Sequence, residues 1–535
     1  MKKRYFIAGI FLLAAFFIST ACLSQPGTAQ KADVIDIFSF NDFHGTIDKS
    51  ASGSNPGADR FTAIVKHLMS ENPNSILVAA GDNYQGSPLS NLFHGEPVSK
   101  MIKYLGVKYS ALGNHEFDWG QEYIRKFAND GALTFLGANV FIKGTEKQPD
   151  FCKAWDIVNI GGWKIGFIGL STVETSSMTK AANVENLEFR QPGPWLSAII
   201  KNLKKKQGCD LVIALTHMPV RQNSETKEIS GEAAELAKTC PEFDAIITGH
   251  SHQLVAGDVN NVRIIQGNYN GRGLGRLNIK YEDNIVKITP SFYTQNNMNT
   301  GDILPNNPLE VNEDIKAMVA GYQEKSGPLF AEVVGKYGAD ISSRDAQADW
   351  ATKLVFDYIK RVTGTEYILV QNAGGWRDTS PYNRKASDDV TLGYLYTLMP
   401  FDNEIVLLEM TGRDILYMLG SPSVALGSAA VVAGIRKDGN IWRLASTNEA
   451  IENSDKAYKI ACNDFMLTGG DNFPFPGSSQ GRAANVKKLV EPVFMGMPLR
   501  DAMVLELKHR SGISWVSGIY LFAFAAKSGV TGETK

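Results

Sequence analysis

Phe243–His252 reads FDAIITGHSH: a short apolar run ends at Gly249 and is followed by two histidines one residue apart, in a chain that holds only eight. Short β-branched or apolar runs bounded by turn residues read as strands buried on both faces. In open α/β sheets, ligands bind beyond the carboxyl ends of such strands. The segment therefore predicts a buried strand with His250 and His252 presented just past its end.

The same pattern recurs on either side. VIDIFSF, SILVAA, YSALG, LTFLGAN, WKIGFIGLS, DLVIALT and VRIIQG all lie between Asp33 and about residue 294. Helical periodicity separates several of them, as in ADRFTAIVKHLMSE, where Phe61, Ile64, Val65 and Leu68 share one stripe. Alternation of this kind predicts a layered α/β domain. Several runs end in side chains that suit a metal: Asp42 and His44 in NDFHG, Asp82 in GDN, Asn114, His115 and Asp118 in GNHEFD, and His217 in LTH. Singly, each has a plain alternative as a helix cap, a turn residue or a satisfied histidine. Five of the eight histidines at strand ends are hard to ascribe to chance.

The set mixes carboxylate, imidazole and amide oxygen without thiolate. It suits zinc, manganese or a similar divalent ion better than calcium or a cysteine-rich structural zinc site. Seven candidate ligands exceed the needs of one ion, whereas two ions sharing a bridging carboxylate fit the count. His67, on an amphipathic helix, His94 and His509 stand apart from this set, and the lysines of KNLKKKQG read as a solvated helix end.

At 535 residues the chain exceeds one ordinary core. Its 44% apolar and 21% charged content is that of a globular protein, and a net charge of -2 argues against a nucleic acid polymer as partner. The start, MKKRYFIAGIFLLAAFFISTAC, has the basic and apolar regions of an export signal over residues 1–21. Cleavage there would leave Cys22 first and open to lipidation, which predicts export to a bacterial periplasm or cell surface, either attached to the membrane through that residue or released as a soluble secreted form. Cys152, Cys209, Cys240 and Cys462 show no CxxC spacing. The apolar stretch from Trp515 to Ala526 is too short to span a bilayer.

The texture becomes rich in proline and asparagine after residue 295, and then helix-like. The expected division is a first domain over 33–300, a linker or hinge helix over 301–330, a second domain of α+β character over 331–510 and a tail over 511–535. In the second region, QNAGGWRD supplies Asn372 and Arg377, MPFDNEIV supplies Phe401, and NDFMLTGGDNF supplies Phe465 and Asp471. Two aromatic rings can sandwich a nucleobase, an arginine can fork onto phosphate oxygens, and a carboxylate can accept ribose hydroxyls. Each phenylalanine taken alone reads as core packing; their company reverses that.

NDFHG, GDNYQGSP, LGNHEFD, LTHMP and GHSH, in that order, resemble the calcineurin-like metallophosphoesterases and specifically the 5'-nucleotidase family. The resemblance extends from about Val34 to Arg510. It implies a four-layer α/β/β/α metallophosphoesterase sandwich followed by a smaller α+β substrate-binding domain. It further implies that Asp42, His44 and His252 hold one divalent ion and Asn114, His217 and His250 another, with Asp82 bridging the pair. His115 and Asp118 would form a catalytic dyad, the phenylalanines a base clamp and Asp471 a ribose ligand. Two departures stand out: Arg344 lies about three residues upstream of the place where the family carries an arginine, and Trp376 replaces a small aliphatic residue.

The function implied is release of phosphate from nucleoside 5'-monophosphates by attack of a metal-activated water. A 2',3'-cyclic-nucleotide phosphodiesterase, a UDP-sugar hydrolase or a thiosulfohydrolase would use the same metals. A surface-anchored binding protein without catalysis is the remote alternative, and the complete ligand set weighs against it.

Overall fold

The computed structural model describes residues 31–49, 55–283, 285–299, 303, 310–377, 379, 381–421, 430–467, 469–474, 487–489, 494 and 496–513. The export segment, Cys22 and residues 514–535 of the expected tail lie outside them. Among the described residues no helix is long and apolar enough to cross a membrane, and Cys152, Cys209, Cys240 and Cys462 are free thiols.

Two six-stranded sheets form the first half of the chain. One runs Ile285–Tyr293, Leu274–Glu282, Val34–Phe40, Ser75–Ala79, Tyr109–Ala111, Thr134–Leu136, and its last four strands are parallel. The other runs Leu254–Val259, Val262–Gly267, Ala245–Ile247, Leu211–His217, Trp163–Ser171, Trp155–Ile160, with four parallel strands flanked by antiparallel edges.

Side chains alternate across each strand, so each run feeds two apolar layers. Ile35, Ile37, Val78, Ile213, Leu215 and Ile247 meet between the sheets. Phe38 and Phe40 turn outward onto the helix Gly57–Ser70 through Phe61 and Ile64. Val212 and Ala214 turn outward toward Leu196, Ile200 and Leu236. Burial on both faces is why the runs are continuously apolar, and it yields the expected four layers. Strand ends differ by a residue or two from the sequence reading; the LTFLGAN run, for example, is a strand only over Thr134–Leu136.

The helix Glu313–Phe330, in the expected linker, buries Ile315, Val319 and Tyr322 in the core that also holds Phe61 and Met101. The helix is thereby packed onto the first sheet's outer layer. Beyond it, a five-stranded sheet runs Ala430–Ala433, Ile368–Asn372, Ala457–Asn463, Ile405–Thr411, Lys487–Leu489. The helices Arg344–Thr363 and Leu499–Arg510 cover one face, and Ile415, Met418 and Trp442 pack on the other.

Candidate active site

The parallel strands of both sheets end at one rim, and the loops that follow carry the expected metal-type residues. Asp42 and His44 follow Val34–Phe40, Asp82 follows Ser75–Ala79, Asn114 and His115 follow Tyr109–Ala111, His217 ends Leu211–His217, and His250 and His252 follow Ala245–Ile247. The chain turns sharply in these loops: Asp42, His44, Asp82, His250 and His252 all have positive φ, between 48° and 77°. Left-handed backbone at a non-glycine residue costs of order 1–3 kcal/mol and persists where surrounding structure enforces it. Five such residues in one cluster mark a site whose geometry outweighs local comfort.

Two groups of side chains form, one around Asp42 and one around Asp82. In the first, Asp42, His44 and His252 converge, with His252 Nε2 3.4 Å from Asp42 Oδ1 and the Nε2 atoms of His44 and His252 3.0 Å apart. In the second, Asp82, His217 and His250 converge, with His217 Nε2 3.0 Å from Asp82 Oδ2 and 3.2 Å from His250 Nδ1. His44, Asp82 and His115 also come together between them. Asn114 turns its Oδ1 into buried space, where that atom has no hydrogen-bond partner.

Neighbouring groups fix the orientation of these donors. His217 Nδ1 donates to Ala80 O at 2.7 Å and His44 Nδ1 to Gln85 O at 3.1 Å, which turns each Nε2 toward the centre. A backbone partner on the far nitrogen is how metal-binding imidazoles are usually held. Asn41 bridges Asp42 to the end of Val262–Gly267 in the other sheet, donating to Asp42 Oδ2 and Asn268 O and accepting from Gly267 N. Tyr269 stacks on the His252 ring at 4.6 Å and 14°.

The electrostatics fit cations. Asp82 is buried, which raises a carboxyl pKa, yet His217 and His115 outweigh burial and hold it well below the usual value. Burial and then His252 push His44 down to about 3, while burial and then His217 push His250 down to about 4. His217 is instead raised to about 10, because Asp82 overcomes the burial penalty. The lowered imidazoles of His44 and His250 and the buried carboxylates of Asp42 and Asp82, beside the orphaned Asn114 oxygen, fit divalent ions of the imidazole- and oxygen-binding kind.

His115 stands beside this centre. Its Nδ1 lies 2.7 Å from Asp118 Oδ2, its backbone N–H donates to Asp82 Oδ1 at 2.9 Å, and Asp118 Oδ1 accepts from Thr179 Oγ1 at 3.1 Å. Burial lowers the imidazole pKa, but Asp118 and Asp82 raise it to about 9.

The domain built on the five-stranded sheet brings its own residues to the same place. The Phe401 ring lies 5.7 Å from that of His115 at 21°, and the Arg377 guanidinium sits 4.6 Å above Phe401. Asn372, at the end of Ile368–Asn372, donates to Asp471 Oδ2 at 2.7 Å and accepts from Asn463 Nδ2 at 2.9 Å. Gly470 lies so close to Phe465 that an added Cβ would meet its ring at 2.5 Å, and Gly469 has φ 97°. Arg344 lies at the start of Arg344–Thr363 and lines, with Trp376 and Arg377, a cavity of about 180 Å³. Three residues on, Gln347 is buried and donates to Arg377 O at 3.1 Å.

One residue that the sequence reading passed over is Glu116, 1% exposed beneath the centre. Its Oε2 accepts from Asp82 N at 2.8 Å and Gly113 N at 2.7 Å, and its Oε1 from Asn83 N at 2.8 Å and Asn83 Nδ2 at 3.2 Å. It ties the loop of Asp82 to that of Asn114. The only sequence signal was an acidic residue between His115 and Phe117, where a surface turn would look the same.

Residues 35–254 match the family model described as calcineurin-like phosphoesterase, and residues 330–477 match the 5'-nucleotidase C-terminal domain. Endonuclease YhcR of Bacillus subtilis is 28% identical over 495 residues, which take in 86% of this chain but only 39% of that protein. The 5'-nucleotidase of Vibrio cholerae is 25% identical over 520 residues, covering 89% of this chain and 92% of its own. Among solved structures, the 5'-nucleotidase precursor from Thermus thermophilus shares the fold with a TM-score of 0.68 at 20% identity, over 89% of this chain and 97% of that one. With one model on the two-sheet sandwich and the other on the sheet that follows, the chain belongs to the calcineurin-like phosphoesterases that carry a C-terminal 5'-nucleotidase domain, a family of hydrolases.

Proposed function

We propose that the protein is an exported phosphohydrolase that holds two divalent ions and releases phosphate from nucleoside 5'-monophosphates. The observation that carries the nucleotide reading is the apposition of Phe401 and Arg377, from the second domain, to His115 of the metal centre. Asp42, His44 and His252 would hold one ion and Asn114, His217 and His250 the other, with Asp82 between them. The ions, when bound, supply positive charge for the phosphoryl oxygens and lower the pKa of a nearby water.

The remaining work falls to the chain's own groups. With Nδ1 held by Asp118, His115 presents Nε2 to the site as the atom that stabilises charge or gives a proton to the leaving oxygen. Arg377 offers its planar fork to phosphate oxygens. Asp471, steadied by Asn372, accepts from ribose hydroxyls, and Phe401 with Phe465 clamps the base.

A metal-supplemented hydrolysis panel of the purified mature protein against AMP, UMP, 2',3'-cyclic AMP and UDP-glucose tests this reading. Dominant turnover of the monophosphates is expected. Dominant turnover of the cyclic or the diphosphate substrate would overturn the substrate assignment and leave the metal centre standing.

A further inference from the structure

We infer that Lys180 is a positioning residue that draws both ring-bearing segments of the second domain, Phe401–Glu404 and Asp464–Phe465, onto the metal-bearing domain; the inference rests on the nucleotide reading above. Lys180 lies between the short helices Thr175–Met178 and Ala181–Val184, in the first half of the chain. Its side chain, 17% exposed, crosses to the other half. The ammonium donates to Asp402 O and stands 3.6 Å from Glu404 Oε1 and 3.5 Å from Asp464 Oδ2. Burial works against its charge, but the carboxylates of Asp464, Glu404 and Asp402 win and raise its pKa.

Two of the three acceptors are immediate neighbours of the clamp aromatics. Asp402 follows Phe401, and Asp464 precedes Phe465. Asp464 Oδ1 accepts the N–H of Glu404 at 2.8 Å and of Phe465 at 3.1 Å, so one carboxylate already joins the two segments. Lys180 supplies the opposite charge from across the domain boundary.

Lys180 is also the end of a short segment that touches the chemistry residue by residue. Met178 O accepts from Asn114 Nδ2 at 3.5 Å, Thr179 Oγ1 donates to Asp118 Oδ1 at 3.1 Å, and Lys180 reaches the clamp. Three consecutive residues thus register a metal-type ligand, the carboxylate of the His115 dyad and the base-clamp segments against one another. Two neutral hydrogen bonds also cross to this segment: Gln85 Nε2 donates to Pro400 O at 3.3 Å and Asn91 Nδ2 to the same oxygen at 2.8 Å. Charge-assisted hydrogen bonds are roughly twice as strong as neutral ones. Removing the ammonium also takes away a positive charge that stands within 3.6 Å of both the Glu404 and the Asp464 carboxylates.

The test compares wild type with Lys180→Met and Lys180→Arg on AMP, which needs both domains, and on p-nitrophenyl phosphate, which has no base or ribose. Lys180→Met is expected to lower kcat/KM for AMP by roughly tenfold or more and to leave the aryl phosphate within about twofold. Lys180→Arg should recover most of the loss. Small-angle X-ray scattering of the metal-loaded proteins should show a larger radius of gyration for Lys180→Met than for wild type. An equal fall on both substrates would make Lys180 a general structural residue and overturn the inference. No fall on AMP, or no change in scattering, would overturn it as well. If wild type itself hydrolyses AMP no faster than the aryl phosphate, the nucleotide reading fails, and the scattering alone then decides whether Lys180 holds the domains together.

Discussion

Replacing Glu116 with glutamine keeps its volume and removes one acceptor. The carboxylate serves four N–H groups, two on each oxygen, at 2.7 to 3.2 Å, in a site 1% exposed. A glutamine amide can satisfy only one pair; its NH2 must face the other two donors. Stranding a buried donor costs about 1–3 kcal/mol, so two cost about 2–6 kcal/mol. Part of this is returned, because burial and then Asp82 push the Glu116 pKa up to about 7 and the neutral amide escapes that penalty. A net loss of about 2–4 kcal/mol is expected. Urea unfolding of the metal-free protein measures it. Isothermal titration with zinc or manganese should show weaker binding in parallel, since the loop of Asp82 and the loop of Asn114 would no longer be tied together. An unfolding free energy within about 0.5 kcal/mol of wild type, together with unchanged metal binding, would refute the role assigned to Glu116.

Three further outcomes are expected. His250→Ala should abolish phosphate release, whereas His252→Gln should weaken one ion and leave partial activity, because the His252 side chain is 40% exposed at the rim; equal effects of the two changes would contradict the division between the two ligand groups. Phe401→Ala and Phe465→Ala should each lose about 1–3 kcal/mol of nucleotide recognition, read as kcat/KM for AMP relative to p-nitrophenyl phosphate, and unchanged ratios in both would sink the base clamp. Burial pushes the Asp36 pKa up, but hydrogen bonds from Arg276, Asn278 and Asn72 hold it below the usual carboxyl value. Its stabilisation is therefore complete above the unfolded value of about 3.9 and lost as pH falls through the lower folded value. Asp36→Asn should cost about 1.5–3 kcal/mol at pH 7 and progressively less in acid, and a difference that does not shrink there would refute that assignment.

The sandwich could be read because strands covered on both faces must be apolar on both faces, as in Leu211–His217, where all seven residues are buried. The same physics made the metal-type residues visible: polar side chains such as Asp82 and His250 stand out at the point where an apolar run stops. Reading them as one centre needed only the rule that parallel strands present their ends together. The helix Glu313–Phe330 was legible as a helix after a change in composition, but not as part of the first core, since a helix pattern does not say which face of which neighbour it meets. Glu116 and Lys180 escaped for a related reason. Each looks like a surface charge in its local sequence, and its meaning lies in partners that come from other loops or from the other half of the chain.

Arg344 shows the boundary from the other side. Its position in the sequence marked it as displaced from the family pattern, and the helix Arg344–Thr363 places Gln347, three residues on, inward against the backbone of Arg377. What the sequence by itself determined was the set of strands, the order of the loops that carry the metal-type residues and the chemistry of those side chains, because these follow from local apolar runs and from residue type. What only the tertiary structure decided was the left-handed backbone at five of the metal-type residues, the carboxylate of Glu116 beneath them, and the approach of Phe401 and Lys180 across the domain boundary. These depend on distances between segments far apart in the chain, which local side-chain preferences do not encode.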